Sequence, residues 1–399
     1  MGMSVDRLEA IDRIVRRGIA GGGFPGAAVI VGHDGFSVLR KGYGRLEWLP
    51  SSSVATEQSI YDLASLTKVI ATTTAAMILY DEGKLPLDAP VKQFLPAFSG
   101  GAKDRVTVRQ LLTHHSGLPA GRILTGAKSP AEAKRLVLST PLGCPPGKCF
   151  TYSDLGADVL GWVIESVAGE SLDRFVAHHV FEPLQMHDTF FRPPSALDKR
   201  IAPTQDWSRR GRPLRGEVHD ESAYALGGVV GHAGLFSTAA DLAVFAQMLL
   251  NGGELNGRRI VADSTVRLFT TEVADSRALG WETANYVHGA GELLSNRAYG
   301  HTGYTGTSLW IDPARRLFVV LLTNRTYAPR ALHPADVIAD VRNDLADVAS
   351  LSITADQRMM ALAMPAAFRS DTAKTWNRVA RPAWRVAAER GRRPPAPNR

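Results

Sequence analysis

The stretch Leu63-Ala64-Ser65-Leu66-Thr67-Lys68 stands immediately before a long apolar run from Val69 to Leu79. This run predicts a helix that is buried on most sides, with Ser65 at its N-terminus. Because Ser65 and Lys68 are three residues apart, their side chains lie on the same helix face. An amine one turn away can accept the proton of a serine hydroxyl, and the free N–H groups of a helix N-terminus suit a developing oxyanion. The structural alternative is an N-cap serine with a surface lysine.

The composition is that of a globular protein, and the length of 399 residues allows either one compact unit or two domains. Apolar residues make up 45% of the chain and charged residues 21%. No apolar run reaches the length of about eighteen residues that a membrane span needs, so none is expected. Residues 1–17 predict an amphipathic surface helix and not a signal peptide. The localisation stays open: cytoplasmic for the sequence as printed, or periplasmic or secreted if an export signal has been removed.

The net charge of +7 is concentrated at the C-terminus. From Ala366 onward there are nine basic and two acidic residues, which account for the whole excess, so the rest of the chain is balanced. A basic tail could bind nucleic acid or anionic lipid, but a solvated terminus is the simpler interpretation, and no nucleic-acid partner is expected. Trp376 and Trp384 suggest that part of this tail folds back onto the body. The oligomeric state is left open.

The sequence gives no indication of a metal or cofactor site. It contains two cysteines, Cys144 and Cys149, whose spacing allows either a small disulfide or two free thiols. There is no H-E-x-x-H and no pair of C-x-x-C motifs. The glycines at 300, 303 and 306 do not form a dinucleotide fingerprint, because no strand-to-helix transition with a later acidic residue accompanies them. We therefore expect neither a metal nor a cofactor.

Predicted strands lie near both ends of the chain and predicted helices between them. Asp34-Gly35 is a two-residue hairpin turn between apolar strands at 27–31 and 36–41, and residues 313–316 join strands at 307–312 and 317–323. This order indicates a sheet assembled from both termini with a mainly helical insertion. The predicted division is a sheet domain of residues 1–85 and 238–350, a helical domain of residues 86–237 and a basic extension of residues 351–399. The predicted helices are 4–19, 65–83, 107–115, 153–168, 171–180, 238–250 and 335–346.

Two further motifs could complete a site with Ser65. In Tyr152-Ser153-Asp154, a tyrosine whose pKa is lowered by a cation such as Lys68 could act as a general base towards a serine. The alternative is a core tyrosine followed by ordinary N-cap residues. In His301-Thr302-Gly303-Tyr304, the glycine indicates a strand that something approaches closely, and the next N–H could form half of an oxyanion hole with that of Ser65. No G-x-S-x-G elbow is present, which argues against an α/β-hydrolase.

The order Ser65-x-x-Lys68, Tyr152-x-Asp154, His301-Thr302-Gly303 resembles the serine β-lactamase and penicillin-binding-protein superfamily. The resemblance is closest to the branch of class C β-lactamases, D,D-carboxypeptidases and family VIII carboxylesterases, and covers roughly residues 5–350. It implies an α/β fold of the β-lactamase/transpeptidase type, with a central antiparallel sheet flanked by helices and an inserted all-α domain. Three further stretches match that branch: 111–118, 146–154 and 231–238.

The resemblance also implies roles for single residues. Ser65 would be the acylated nucleophile, Lys68 its proton partner, and Tyr152 the base that later activates water. The N–H groups of Ser65 and Tyr304 would form the oxyanion hole. Asp154, His301, Thr302 and Gly303 would contact the substrate, and the site would lie in a cleft between the two domains.

Two positions depart from the family pattern and bear on the substrate. Asp154 replaces the usual asparagine, and a carboxylate can only accept hydrogen bonds, so recognition of a substrate amide should weaken. Asp154 could instead pair with Lys68 and raise the pKa of the amine. His301 replaces the lysine usual in β-lactamases, and a neutral histidine attracts a substrate carboxylate less. Histidine also occurs here in some D,D-peptidases of the family, and Arg325 could supply the missing charge.

The predicted function is therefore a serine hydrolase that forms an acyl-enzyme on small carboxylic esters, with weak β-lactam hydrolysis at most. The alternatives are a D,D-carboxypeptidase or penicillin-binding protein, a class C-type β-lactamase, and, more remotely, a non-catalytic protein that binds cell-wall fragments. Among the other histidines, His232 lies in a glycine-flanked stretch that could line the cleft. His114, His115, His178, His179 and His187 are assigned packing or surface roles.

Overall fold

The computed structural model describes residues 2–284, 289–373 and 375–376. Its largest element is a six-stranded antiparallel sheet with the order β2-β1-β11-β10-β9-β8. A smaller sheet has the order β3-β5-β4, and β6 pairs with β7. The strands are β1 Gly26–His33, β2 Phe36–Gly44, β3 Ile60–Asp62, β4 Phe190–Phe191, β5 Leu235–Thr238, β6 Glu254–Leu255, β7 Arg258–Arg259, β8 Glu282–Thr283, β9 Tyr299–Thr302, β10 Ser308–Asp312 and β11 Leu317–Thr323.

The centre of the main sheet joins the two ends of the chain. β1 and β11 are buried along their whole length, and they pair antiparallel from Ala27 opposite Thr323 to His33 opposite Leu317. The β1–β2 hairpin turns through Asp34 and Gly35, which both have positive φ, as a two-residue hairpin turn of this kind requires. The predicted sheet assembled from both termini is confirmed.

Helices cover both faces of the sheet. On one face, the N-terminal helix α2 packs against the long C-terminal helix α12, and their apolar side chains share a core with Val29, Val31 and Leu321. On the other face, α10 packs against β1 and β11. The α-helices are α1 Val5–Leu8, α2 Ala10–Ala20, α3 Thr74–Asp81, α4 Val91–Phe94, α5 Val108–Leu112, α6 Pro130–Ser139, α7 Asp154–Ala168, α8 Leu172–Val176, α9 Glu221–Ala225, α10 Ala239–Leu250, α11 Asp263–Thr270, α12 Pro334–Leu351, α13 Gln357–Ala361 and α14 Arg369–Thr372.

Several predicted elements differ from the structure in detail. The first helix is interrupted at Glu9, and the last predicted helix continues to Leu351 because its apolar pattern runs on to the end. The Ser65 helix contains a π-helical stretch, Lys68–Thr73, before α3, and a second one, Ala177–Phe181, follows α8. The remaining short helices are the 3₁₀ segments Gly101–Arg105 and Ser195–Arg200.

The cysteines and the C-terminal tail can be compared with the sequence only in part. Cys144 and Cys149 form a disulfide. Trp376 is buried, and its indole N–H donates to Asp340 at 2.8 Å, so this part of the tail does fold back. Trp384 lies outside the described residues. The division into residues 1–85 with 238–350, 86–237 and 351–399 stays a prediction. Among the described helices, none combines the length and apolar character that crossing a membrane would require.

Two threonines fasten the loop after β9 to the end of β3. Thr305 Oγ1 donates to the carbonyl of Asp62 at 2.7 Å, and Thr307 Oγ1 donates to the carbonyl of Leu63 at 2.9 Å. Gly303 lies so close to this segment that a Cβ there would stand 2.4 Å from the Leu63 carbonyl oxygen. The main sheet thereby holds residues 303–307 beside the start of the Ser65 helix.

Gly231 also lies very close to a neighbouring backbone segment, that of α7. A substitution there tests the packing around this helix. A Cβ at this position would lie 1.9 Å from the carbonyl oxygen of Ala157, a rigid backbone atom. We expect Gly231→Ala to lower the free energy of unfolding by about 1–3 kcal/mol, because the helix must shift to admit the methyl group. Urea denaturation measures this change. Gly121→Ala is the control, since nothing lies within 4 Å of its added Cβ, and an equal stability of the two variants would contradict the packing.

Candidate active site

The chain turns sharply just before Ser65. Ala64 has a φ of 47°, a left-handed conformation that costs a residue with a Cβ about 1–2 kcal/mol. Asp62, which ends β3, accepts a hydrogen bond from the N–H of Ala64 at 2.8 Å and thereby holds the turn. Burial raises the pKa of Asp62 to about 6, although two backbone N–H donors oppose the rise. Backbone strain of this kind beside a candidate nucleophile is typical of a functional site.

Lys68 is buried, with 4% of its side chain exposed, and three oxygen atoms surround its ammonium group. Its Nζ donates to Ser65 Oγ at 2.9 Å and to the carbonyl of His232 at 3.2 Å, and lies 2.7 Å from Asp154 Oδ1. Burial alone would lower the pKa of Lys68, but the charge of Asp154 and then the phenol of Tyr152 outweigh it and raise the pKa. Lys68 is therefore an ammonium that holds the Ser65 hydroxyl in place.

Tyr152 packs among aromatic rings and cations at the start of α7. The Lys68 Nζ lies 4.9 Å from its ring centroid, and the guanidinium carbon of Arg277 lies 5.3 Å from it. The His114 ring packs against the Tyr152 ring at a centroid distance of 4.6 Å with the two planes tilted by 39°, and His114 Nδ1 accepts from the N–H of Ser153 at 3.1 Å. Burial, with the charge of Arg277, lowers the pKa of His114, in keeping with a neutral ring. The packing role predicted for His114 is thus a contact with Tyr152.

The His301-Thr302-Gly303-Tyr304 segment shares a cavity with Ser65 and Tyr152. Ser65, Tyr152, Thr302, Gly303 and Tyr304 line one cavity of about 340 Å³. Within the described residues, no hydrogen bond uses the N–H of Ser65 or of Tyr304, so both donors are available to an oxyanion.

His301 is buried and lines the same cavity. Its Nδ1 lies 2.8 Å from the carbonyl oxygen of Thr302, so this nitrogen carries the proton. Burial, together with the charges of Arg277 and Lys68, holds the pKa of His301 well below its usual value. His301 is therefore neutral at pH 7.

Three arginines line this cavity beside Ser65: Arg277, Arg325 and Arg342. Arg277 is ion-paired with Glu282 at 3.0 Å. Arg342 donates to the carbonyls of Gly303 and Thr307 at 2.8 and 2.7 Å, and Arg325 stacks over Tyr304 at 4.5 Å. Neither Arg325 nor Arg342 is ion-paired with an acidic residue in the described part of the chain. Burial, then the charge of Arg325, lowers the pKa of Arg342 to about 9, so the cavity would gain from an anion.

The structure thus brings together Ser65, Lys68, Tyr152, Asp154, His301, Thr302, Gly303 and Tyr304. Arg277, Glu282 and Arg342 were not predicted from the sequence, because single charged residues on a loop, a short strand and a helix form no motif. His232 lies behind Lys68, against Asp158 and Asp220. In the described ranges, no three His, Cys, Asp or Glu side chains form a group that could hold a metal ion.

Comparison with known proteins identifies the family of this chain. A sequence model of the Beta-lactamase family matches residues 11–343. A protein of Escherichia coli (strain K12) named "Putative D-alanyl-D-alanine carboxypeptidase" is 34% identical over 369 residues, with 83% of this chain and 85% of that protein covered.

Two solved structures share the fold. One is "EstCE1, a hydrolase with promiscuous acyltransferase activity", with a TM-score of 0.70, 23% identity, and coverage of 86% of this chain and 99% of that chain. The other is the octameric penicillin-binding protein homologue from Pyrococcus abyssi, with a TM-score of 0.67, 25% identity, and coverage of 84% and 76%. The expected β-lactamase/transpeptidase-like fold is confirmed, and the chain belongs to the Beta-lactamase family of serine β-lactamase and penicillin-binding-protein-like hydrolases.

Proposed function

We propose that this chain is a serine hydrolase that forms an acyl-enzyme on Ser65. The observation that carries the proposal is the 2.9 Å contact of the Lys68 ammonium with Ser65 Oγ, in a cavity that Tyr152 also lines. As the Ser65 oxygen attacks the substrate carbonyl, its proton passes to the oxygen of Tyr152 in the phenolate form. The negative charge of that phenolate before the transfer is stabilised by the nearby cations of Lys68 and Arg277. The N–H groups of Ser65 and Tyr304 stabilise the oxyanion.

The second half of the reaction returns the enzyme to its starting state. Tyr152 gives the proton to the leaving group as the carbonyl–leaving-group bond breaks, and the acyl group stays on Ser65. Tyr152 then accepts a proton from water, whose oxygen attacks the ester carbonyl and releases the acid. The proton finally returns to Ser65. Lys68 remains an ammonium throughout, because Asp154 lies 2.7 Å away.

The substrate we favour carries a carboxylate next to the bond that is cleaved, as in D,D-carboxypeptidase chemistry. From the sequence, small esters were the first prediction, because a neutral His301 attracts a substrate carboxylate only weakly. Arg325 and Arg342 line the same cavity without an acidic partner among the described residues. They supply the positive charge for a substrate carboxylate that His301 does not. The sequence identity to the E. coli relative supports the same choice.

Small neutral esters are the second candidate, and Asp154 favours them. Its carboxylate is held against Lys68 and cannot donate a hydrogen bond to an acylamide carbonyl, as the usual asparagine could. A comparison of kcat/KM for a D-Ala-D-Ala peptide, nitrocefin and p-nitrophenyl butyrate distinguishes the two candidates. A preference for the ester by about a hundredfold, which corresponds to about 2.7 kcal/mol, would reverse our ranking.

Loss of the Tyr152 hydroxyl should slow turnover strongly. We expect Tyr152→Phe to lower kcat by roughly 10² to 10⁴, the usual contribution of a general base, while Ser65→Ala abolishes turnover. Steady-state kinetics on p-nitrophenyl butyrate measures both. Tyr80→Phe is the matched control, because the ring of Tyr80 packs against Phe269 on a different helix pair. An unchanged rate in Tyr152→Phe would remove this residue from the mechanism.

Loss of the Arg325 charge should affect only substrates with a carboxylate. We expect Arg325→Gln to lower kcat/KM for the D-Ala-D-Ala peptide and nitrocefin by about 10- to 100-fold, the loss of one hydrogen bond to a charged group. The value for p-nitrophenyl butyrate should change by less than about threefold. Arg316→Gln, on an exposed turn, is the control. Equal losses on charged and neutral substrates would contradict the proposed carboxylate site.

A further inference from the structure

A buried histidine lies directly behind Lys68, and two carboxylates hold it. His232 is 2% exposed, with Nδ1 2.6 Å from Asp158 Oδ1 and Nε2 3.0 Å from Asp220 Oδ1. Burial raises the pKa of Asp158, and the charge of His232 opposes that rise. With both carboxylates ionised they only accept hydrogen bonds, so both ring nitrogens donate and the ring is an imidazolium. Burial opposes this charge, but Asp158 and then Asp154 hold the pKa of His232 well above its usual value. Neither Asp158 nor Asp220 belongs to the family motifs identified in the sequence.

The backbone of His232 connects this ring to Lys68. Its carbonyl accepts from Lys68 Nζ at 3.2 Å, and its N–H donates to the same Asp158 oxygen that contacts the ring, also at 3.2 Å. The preceding residue is fixed as well, since the Gly231 carbonyl accepts from Thr72 Oγ1 at 2.7 Å. Anchoring of the side chain therefore fixes the carbonyl that faces the ammonium.

The charges around Lys68 are nearly balanced. Asp154 and Asp158 lie one turn apart on α7, so the same helix face contacts Lys68 and His232. Asp220 approaches from the N-terminus of α9, where its Oδ1 also accepts from the N–H of Ala223 at 2.8 Å. Asp62 of β3 lies beyond Asp220 and interacts with its charge. The two cations and the three carboxylates that touch them have a net charge of −1.

We propose that His232 is a positioning residue: clamped by Asp158 and Asp220, it holds its carbonyl against Lys68 and compensates the carboxylate of Asp154. This inference rests on the proposed function. Without the imidazolium, Lys68 would be the single cation among these three carboxylates. One of the carboxylates would then take up a proton at a higher pH than in the wild-type chain. A proton on Asp154 breaks its ion pair with Lys68 and releases the Ser65 hydroxyl.

The test is the pH dependence of kcat/KM for His232→Gln in the full chain. Removal of the positive charge raises the pKa of Asp154, so the acid limb of the profile should move to higher pH by about one unit or more. The double variant Asp158→Asn/His232→Gln loses one charge of each sign and keeps the net charge at −1. Its acid limb should return to within about 0.3 units of the wild-type value.

If His232 served packing alone, the result would differ. A second substitution in the same contact would then lower kcat/KM further and leave the acid limb of the pH profile unmoved. Asp312→Asn is the matched control, because this carboxylate is also buried but accepts a hydrogen bond from Ser295 at the far end of β10. The acid limb of this variant should not move. An unmoved limb in His232→Gln, or a limb that fails to return in the double variant, would overturn the proposal.

A second measurement does not depend on activity or on the folding of the variants. Carbon-13 NMR of the histidine ε1 positions in the wild-type chain should show one imidazolium among the 11 histidines that persists at pH 8.5. Its absence would overturn the proposed role of His232. A chain that keeps this signal but turns over no substrate would instead count against the proposed function.

Discussion

The ammonium of Lys68 is the charge on which the site depends. A buried cation is costly unless oppositely charged and polar groups surround it, and here Ser65 Oγ, Asp154 Oδ1 and the His232 carbonyl do so. Each contact comes from a different part of the chain, namely the nucleophile's own helix, the start of α7 and the segment before β5. Because the buried ammonium needs all three contacts, it fixes these three segments relative to one another. The same contacts hold the Ser65 hydroxyl in place.

The other half of the site is fixed by the sheet. β9 is paired with β10, and the threonines at 305 and 307 fasten the following loop to the backbone of Asp62 and Leu63. The two candidate oxyanion donors, the N–H groups of Ser65 and Tyr304, are held on either side of this junction. The main sheet therefore positions the candidate oxyanion donors, while a buried ion pair positions the nucleophile.

The fold and the central residues were predictable, because they follow strong local rules. The hairpin at Asp34-Gly35 needs two residues with positive φ, and the apolar strands at both ends have few arrangements in which they bury both faces. Ser65 and Lys68 are neighbours through helical spacing alone. The ion pair of Asp154 with Lys68 was one of two roles that the sequence allowed for this carboxylate.

The rest could not be predicted, because it depends on distant contacts. Arg277, Arg325 and Arg342 meet only through the packing of a loop, a strand end and helix α12. The left-handed conformation of Ala64 has no signal in its residue type, since alanine seldom adopts it. His232 was considered for the cleft, but its partners Asp158 and Asp220 are ordinary helix and N-cap residues in sequence.

The most direct test of the account is the detection of the covalent intermediate. The chain is mixed with a penicillin, quenched in acid within the first turnovers, digested and examined by mass spectrometry. If Ser65 is the acylated nucleophile, the peptide that contains it gains a mass equal to the intact penicillin, and the Ser65→Ala variant shows no such gain. An adduct on another residue, or turnover without any adduct on Ser65, would contradict this role of Ser65.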